Sequence, residues 1–261
     1  MITQRKDFTK IKGLSDRRVL PRLSKIRLGI KVRSARTGNE FPREVDYFVV
    51  SPEVQAIYGP QPKSLDVMIP VEDENAFFPQ AYKAYVRNGL RCKGNGDVAL
   101  RRVADIIWKK GESVIDDATS RILGEVPSDP NGLVEITCPC PLLESGECRQ
   151  AANLMLLLPK VSMSGVYQCD TGSTHNIIRV NSMIEYLRSL LGRVALVPLL
   201  LTRVEEEIEY QGKKAKHFLL QLRLNANLSE VITLRENIRM VLRTRNLALP
   251  APVEDGPDPS G

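Results

Sequence analysis

The sequence has few of the residues on which acid–base catalysis depends, and it has no long apolar run. Only two histidines, His175 and His217, occur in 261 residues, without a Ser-His-Asp order or a Gly-x-Ser-x-Gly elbow. No run approaches the roughly 20 apolar residues that span a bilayer, and the N-terminus lacks the apolar core of a signal peptide. These absences predict a cytoplasmic protein that is not an enzyme.

Two short strings match motifs of enzymes, but each lacks its partner. Asp170-Thr171-Gly172 matches the string of aspartic proteases, whose dyad needs two carboxylates that share a proton, and no second such string is present. We therefore interpret Asp170 and Thr171 as the end of a strand and the cap of the next helix. Residues 89–96 form a glycine-bounded segment without Gly-x-x-x-x-Gly-Lys-Ser/Thr, which excludes a phosphate loop.

Basic residues are concentrated at the N-terminus. Residues 1–36 contain twelve Lys or Arg and two Asp, a net charge of +10, which leaves −4 on the rest because the whole chain carries +6. This asymmetry predicts an anionic partner, either nucleic acid or an acidic protein face, and a solvated arm that aids solubility is the alternative. We predict a flexible basic arm at 1–12, a single domain at 13–245 and a disordered Pro/Gly-rich tail at 246–261.

The apolar pattern predicts an α+β fold with a mixed, mainly antiparallel sheet and several helices. Period-two alternation and short apolar runs predict strands at 26–32, 45–50, 65–71, 133–137, 154–158, 166–169, 194–204 and 216–225. Apolar residues at helical spacing predict helices at 52–57, 72–86 with an interruption at Pro79, 97–110, 174–191, and onward from a cap at Ser229. The glycine-bounded segment 89–96 is predicted to be a tight turn.

Three of the five cysteines lie in one short, turn-rich segment. An odd number of cysteines in a chain predicted to be cytosolic argues against a disulfide framework. Cys138, Cys140 and Cys148 can supply three thiolate ligands to a structural, tetrahedral Zn²⁺ ion. The sequence therefore predicts a zinc knuckle, and reduced thiols without a metal are the alternative interpretation.

The fourth ligand is less defined by spacing. Cys92 is preferred, because it lies in the segment predicted to be a tight turn, which is suited to pointing a thiol at a metal. Cys169 lies in an alternating strand, where a thiol packs as a small hydrophobic side chain, and His175 lies beside a helix cap. The predicted ligand set is Cys92, Cys138, Cys140 and Cys148, with Cys169 and His175 as alternatives to Cys92.

Several short motifs occur in order over roughly residues 11–245. The motifs are Leu14–Arg18, Pro21–Leu23, Lys25–Gly29, Phe41–Glu44, Pro70–Glu74, Cys92–Gly96, Cys138–Cys148, Asn153–Met155 and Gly165–Gln168 with Asp170 and Thr171. Together they resemble the recombination directionality factors that accompany large serine integrases of phages. Relatives of these factors are often labelled only as hydrolases or metal-binding proteins. An apolar residue is expected in relatives at the position of Cys169, which favours a packing role for it.

The resemblance implies a non-catalytic partner protein. Such factors bind the DNA-bound integrase around its mobile coiled-coil arm and favour synapsis of the product sites over that of the original sites. The helix at 174–191 and the helix from Ser229 are both candidates for this contact. Direct DNA contact is expected to be weak or non-specific, through the basic N-terminal region. The alternatives are a DNA-binding accessory protein of recombination or replication and a metal-dependent hydrolase.

Overall fold

Eight strands form the longest sheet in the computed structural model of the protein, which describes residues 20–86, 89–102, 109–110, 113–115, 122–125, 133–210, 213–224 and 226–248. Neighbouring strands are antiparallel except for one parallel pair, β1 with β12. In sheet order the strands are β10 (Leu133–Thr137), β6 (Val98–Arg102), β5 (Gly89–Gly94), β4 (Gln80–Val86), β11 (Arg149–Leu158), β12 (Ser162–Thr171), β1 (Arg22–Arg33) and β2 (Glu40–Val49).

Two smaller sheets and five helices complete the described part of the chain. One sheet has the order β14 (Lys213–Arg223), β13 (Leu199–Tyr210) and β3 (Ser64–Val67), and the other has the order β7 (Lys109–Lys110), β8 (Ser113–Ile115) and β9 (Ile122–Glu125). The helices are α1 (Pro52–Tyr58), α2 (Glu74–Phe77), α3 (Pro141–Glu144), α4 (Thr174–Leu191) and α5 (Leu228–Ala248). The predicted α+β class with a mainly antiparallel sheet is therefore confirmed.

The main core covers one face of the long sheet, which we call the inner face. Because successive strand residues point to opposite sides, Leu154 of β11 and its partner Cys169 of β12 face inward, whereas Asn153 and Asp170 face outward. α4 packs on this core through one stripe of buried side chains, which comprises Val180, Ile184, Leu187 and Leu191.

Both ends of α4 have capping residues. The Ser173 hydroxyl accepts a hydrogen bond from the backbone N–H of Asn176 at 3.4 Å, and Gly192 ends the helix with a φ of 75°, in the left-handed region that favours glycine. At α5 the predicted cap is wrong. Asn227 rather than Ser229 caps the helix, because the Asn227 side chain accepts from the Glu230 N–H at 3.1 Å while the Glu230 carboxylate accepts from the Asn227 N–H at 2.8 Å.

The predictions between residues 72 and 110 are mostly wrong. The predicted helix at 72–86 shrinks to α2, after which β4 continues as a strand. Residues 89–94 of the predicted turn form strand β5, and only residues 95 and 96 lie in a turn. β6 replaces the start of the predicted helix at 97–110, whose residues 103–108 lie outside the described residues. These residues form strands because they pair with one another and with β10 and β11 in the long sheet. A Cβ on Gly94 would lie 2.5 Å from that of Ala99, so glycine is required where β5 meets β6.

The remaining strand predictions are confirmed with shifted boundaries. β13 begins at Leu199, after Pro198, rather than at residue 194, which removes the need for a bulge at that proline. Residues 1–19 and 249–261 lie outside the described residues, so the flexible arm and the disordered tail stay predictions. Within the described ranges, the helices lack the combination of length and apolar composition that a membrane crossing requires.

Candidate functional site

The four predicted metal ligands lie in one cluster on the inner face of the long sheet. Cys140 and Cys148 are buried together with Cys92, and Cys138 packs against them at partial exposure. The cluster is separate from the main core, to which Cys169 belongs. We call it the thiol cluster; its members are Ala84, Cys92, Ala99, Val134, Ile136, Cys140 and Cys148, with Tyr82, Cys138, Leu142 and Leu143 packed against it.

Backbone hydrogen bonds hold the segment from Cys138 to Cys148 in place. The Cys138 N–H donates to the carbonyl of Asp97 at 2.7 Å, which ties the end of β10 to the turn before β6. The Leu143 N–H donates to the Cys140 carbonyl at 2.8 Å, and the Cys148 N–H donates to the Leu142 carbonyl at 2.7 Å. The segment therefore folds back on itself around α3 and delivers its three thiols to the same place.

Cys92 reaches the cluster from a strand, not from a turn. It lies in the middle of β5, opposite Ala84 of β4 and Arg101 of β6. The expected structural setting of Cys92 is thus wrong, although its place beside the knuckle cysteines fits the preferred ligand set. The alternatives lie elsewhere, because Cys169 is buried in the main core and His175 is exposed in the first turn of α4.

Arg101 places a positive charge inside the thiol cluster, and sequence reasoning missed it. Its side chain is only 6% exposed, and its guanidinium donates to the Cys140 sulfur at 3.4 Å. Its Nε has no hydrogen-bond partner, and no carboxylate of the described residues forms an ion pair with it. A buried cation without an anion is costly. Nothing in the local sequence marks Arg101, because its position depends on pairing between β5 and β6.

The thiols of the cluster hold their protons more firmly than free cysteine does. Burial is the main cause that raises the pKa values of Cys92 and Cys138, and it raises the pKa of Cys148 to about 11. The neighbouring thiols raise all three pKa values further, and Arg101 opposes this. A metal ion would therefore have to displace protons from the cluster on binding.

The donor set fits Zn²⁺ in its chemistry. Four thiolates complete a tetrahedral structural site and carry more negative charge than one zinc ion neutralises, which a buried guanidinium would offset through hydrogen bonds to sulfur. The placement of the side chains does not show a metal site. Among the described residues, no group of three or more His, Cys, Asp or Glu is positioned to hold a metal ion. Zinc binding therefore stays a prediction.

A second polar group lies on the opposite, outer face of the sheet and centres on Asp170. Its carboxylate accepts hydrogen bonds from Lys25 and Asn153, each at 2.5 Å, and from Gln168. Burial raises the pKa of Asp170, but these hydrogen bonds outweigh it and hold that pKa below its usual value. Such an ionised, lysine-paired carboxylate differs from a dyad that shares a proton. Asp170 lies one residue before the end of β12, and Ser173, not Asp170, caps α4.

The two candidate contact helices differ in how much of their surface is free of the core. α4 buries its apolar stripe, whereas only Val231 and Leu234 of the described α5 side chains pack partly against the main core. A short second stripe of α5 is exposed. It consists of Leu228 and Ile232, which are four residues apart and 76% and 50% exposed, and the charged Glu236 occupies the next four-residue step.

These features define an α+β protein whose long mixed sheet has a thiol cluster on one face, a polar network on the other and one largely exposed amphipathic helix. A family model described as Gp3-like, recombination directionality factor-like, matches residues 23–225. The chain belongs to this family, which confirms the resemblance found in the sequence and supports a role in phage DNA recombination. No curated protein and no solved structure matches the chain.

Proposed function

We propose that this protein is a non-catalytic recombination directionality factor, which binds a large serine integrase and switches it from integration to excision. The family match over residues 23–225 is the observation that supports this role most directly. A factor of this kind acts by binding one arrangement of the integrase more tightly than the other. Moving an equilibrium from 1:99 to 99:1 takes a difference of about 5.5 kcal/mol in binding, so the contact surface must be substantial.

The exposed stripe of α5 is the proposed contact for the coiled-coil arm of the integrase. Leu228 and Ile232 are one helical turn apart and present apolar surface to solvent. An amphipathic helix with such spacing packs against another helix in the manner of a coiled coil. α4 is a weaker candidate, because its apolar stripe already stabilises the main core.

The test of function is recombination between plasmid-borne attachment sites by the cognate integrase, with and without this protein. We expect excision to appear and integration to decrease only when the protein is present. If neither reaction changes with an active, correctly matched integrase, the proposal is wrong. DNA binding without any effect on the integrase would then favour an accessory protein that acts on DNA alone.

The contact surface is tested with Ile232→Glu and Thr233→Glu. Both residues are exposed neighbours on α5, and both substitutions introduce the same charge. We expect Ile232→Glu to weaken integrase binding by at least about tenfold, since a charge in an apolar helix contact loses about 1.4 kcal/mol or more. Thr233→Glu is expected to bind as the unmodified protein does. Equal behaviour of the two variants would exclude the stripe as the contact.

We further propose that Zn²⁺, held by Cys92, Cys138, Cys140 and Cys148, has a structural role. The gathering of four thiols around a buried guanidinium supports this proposal. Four thiolates leave no open position on the metal, so such a site would stabilise the segment between β10 and β11 rather than bind a substrate. Metal analysis of the purified protein, with variants compared in the Discussion, is the test.

A further inference from the structure

A row of positive charges crosses the outer face of the long sheet. Lys83 of β4 lies directly opposite Arg149 of β11 on one side and Lys93 of β5 on the other. Like charges directly opposite each other on neighbouring strands destabilise a sheet. None of the three forms an ion pair with a carboxylate of the described residues. Three uncompensated cations in register are thus maintained at a cost to stability.

Lys25 of β1 lies on the same outer face but outside this register, because it pairs with Gln168, which pairs with Met155, six residues along β11 from Arg149. The Lys25 ammonium group contacts Asp170, the Asn153 amide also contacts Asp170, and Lys83 donates to Asn153 at 3.4 Å. One hydrogen-bonded network therefore connects the cations of β1 and β4. We define the cationic row as Lys83, Lys93 and Arg149, and Lys25 is a fourth cation of the same face. These four cations, together with Asp170 and with Glu135 of β10, which is opposite Leu100 beside Lys93, carry a net charge of +2.

The basic N-terminal sequence leads to the same surface. Arg22, the first residue of β1, donates to the Gln168 side chain at 2.8 Å, and Gln168 also bonds Asp170. Six further Lys or Arg precede Arg22 within residues 1–19. Arg22, at the described end of this basic sequence, therefore lies on the same outer face as the cationic row.

We propose that the outer face of the long sheet binds the phosphate backbone of duplex DNA without sequence preference. Neighbouring strands are about 4.8 Å apart, so the row places several cations close together. A duplex carries about one phosphate per 1.7 Å of helix axis, so several phosphates lie within reach of the row. Because the protein belongs to a family of recombination factors, DNA is the polyanion present where it acts.

The test is the fluorescence anisotropy of a labelled random-sequence duplex, without integrase. The full-length protein is compared with a row variant, Lys83→Gln/Lys93→Gln/Arg149→Gln. A matched control, Lys63→Gln/Lys160→Gln/Lys214→Gln, removes the same formal charge from other surfaces. We expect the row variant to bind at least about tenfold more weakly near 50 mM salt and its slope of log K against log salt to be smaller by about 2 to 3.

The control variant is expected to retain most of the affinity and of the salt slope. Equal losses in the row variant and the control would overturn the proposal, because only the net charge would matter. A third full-length variant, with the six basic residues of 1–19 changed to Gln, separates the arm from the sheet. If that variant loses all binding while the row variant binds as the unmodified protein does, the sheet face is not the DNA surface.

The outcome is independent of the directionality role, which needs an integrase that this assay does not contain. A row variant that binds DNA normally but no longer binds the integrase would overturn the proposal and assign the row to an acidic protein face. A row variant that fails to bind DNA but still supports excision would leave both proposals standing. Thermal unfolding of each variant checks that the fold is intact.

Discussion

The main core and the thiol cluster lie under the same face of one continuous sheet, yet they differ in the number and the size of their buried side chains. The main core buries 25 hydrophobic residues, including Phe48 and Leu156. The thiol cluster buries only seven, three of which are cysteines and two alanines. At about 25 cal/mol per Å² of apolar surface, small side chains contribute little. Small domains with little apolar surface usually need a cross-link or a metal, and zinc held by the four thiols is our proposal for this region.

The largest expected effect concerns the metal, and a pair of buried cysteines provides the comparison. We expect Cys92→Ala to abolish zinc binding, because it removes one of four ligands, whereas Cys169→Ala should retain the metal and lose only packing in the main core. Structural zinc contributes about 10 kcal/mol or more to the folding of zinc-finger peptides, so we expect hydrogen exchange across β10 and the knuckle to increase sharply. Elemental analysis and hydrogen-exchange mass spectrometry measure both effects.

Thiol labelling sharpens the same comparison. In the zinc-bound protein all five thiols should resist alkylation, and a chelator should expose four of them while Cys169 stays protected until global unfolding. Burial raises the pKa of Cys169 to about 12, which keeps it protonated and unreactive. If Cys169→Ala loses zinc and Cys92→Ala keeps it, the ligand set is wrong. If the unmodified protein contains no zinc, the cluster is a core of reduced thiols.

The next effect compares equivalent truncations in the two regions. Leu156→Ala in the main core should lower the free energy of unfolding by about 3 to 4 kcal/mol, since it leaves a cavity among large neighbours. Ile136→Ala in the thiol cluster should cost about 2 kcal/mol, near the lower limit for such changes, because the small cluster relaxes around the gap. Denaturant unfolding of both variants measures the difference. Equal losses would show that the thiol cluster packs as tightly around Ile136 as the main core packs around Leu156, and the proposed contrast would be wrong.

The two regions also differ in how well the sequence predicts them. In the main core the apolar run at 154–158 and the stripe of α4 coincide with buried positions, so periodicity identifies both elements. In β6, beside the thiol cluster, apolar residues are exposed and a charged residue is buried. Val98 and Leu100 of β6 are exposed on the outer face, whereas Arg101 is buried. A rule that places apolar residues inside therefore misassigns β6 as part of a helix.

The candidate site was predictable only where its residues are close in the sequence. The spacing of Cys138, Cys140 and Cys148 identifies the knuckle. The structure places Cys92 beside these thiols but in a strand rather than in the predicted turn, and its role as the fourth ligand stays a prediction. Arg101 depends on the register between β5 and β6, which only the folded chain determines. Local sequence carries no information about such long-range pairing.

A smaller effect is expected at the outer face of the sheet, which both regions share. Asp170→Asn removes the ion pair with Lys25. Both side chains of this pair are about 40% exposed, so solvent screening limits the loss in free energy of unfolding to about 1 kcal/mol at neutral pH. The pKa of Asp170 is lower in the folded protein than in the unfolded chain. Its contribution is therefore fully present above the unfolded value of about 4 and is lost as the pH decreases through the folded value.

Thermal unfolding between about pH 7 and pH 3 measures this dependence. The difference between the unmodified protein and Asp170→Asn should be constant above the unfolded pKa and should shrink as the solution becomes more acidic. A difference that stays constant to the lowest pH would show that Asp170 stabilises the sheet through hydrogen bonds rather than through its charge.

The smallest effect has the opposite sign and comes from the cationic row. Lys83→Gln removes a charge that faces Arg149 and Lys93, so we expect the free energy of unfolding to increase by a few tenths of a kcal/mol. The gain should decrease as salt is added, because ions screen exposed charges. Lys160→Gln is the control. Lys160 forms an ion pair with Asp66 at 2.7 Å, so removal of its charge should not stabilise the protein. If Lys83→Gln makes the protein more stable but weakens DNA binding, the charge of Lys83 costs stability and serves DNA binding. A loss of stability would instead assign Lys83 to the support of β4, and the row would no longer indicate function.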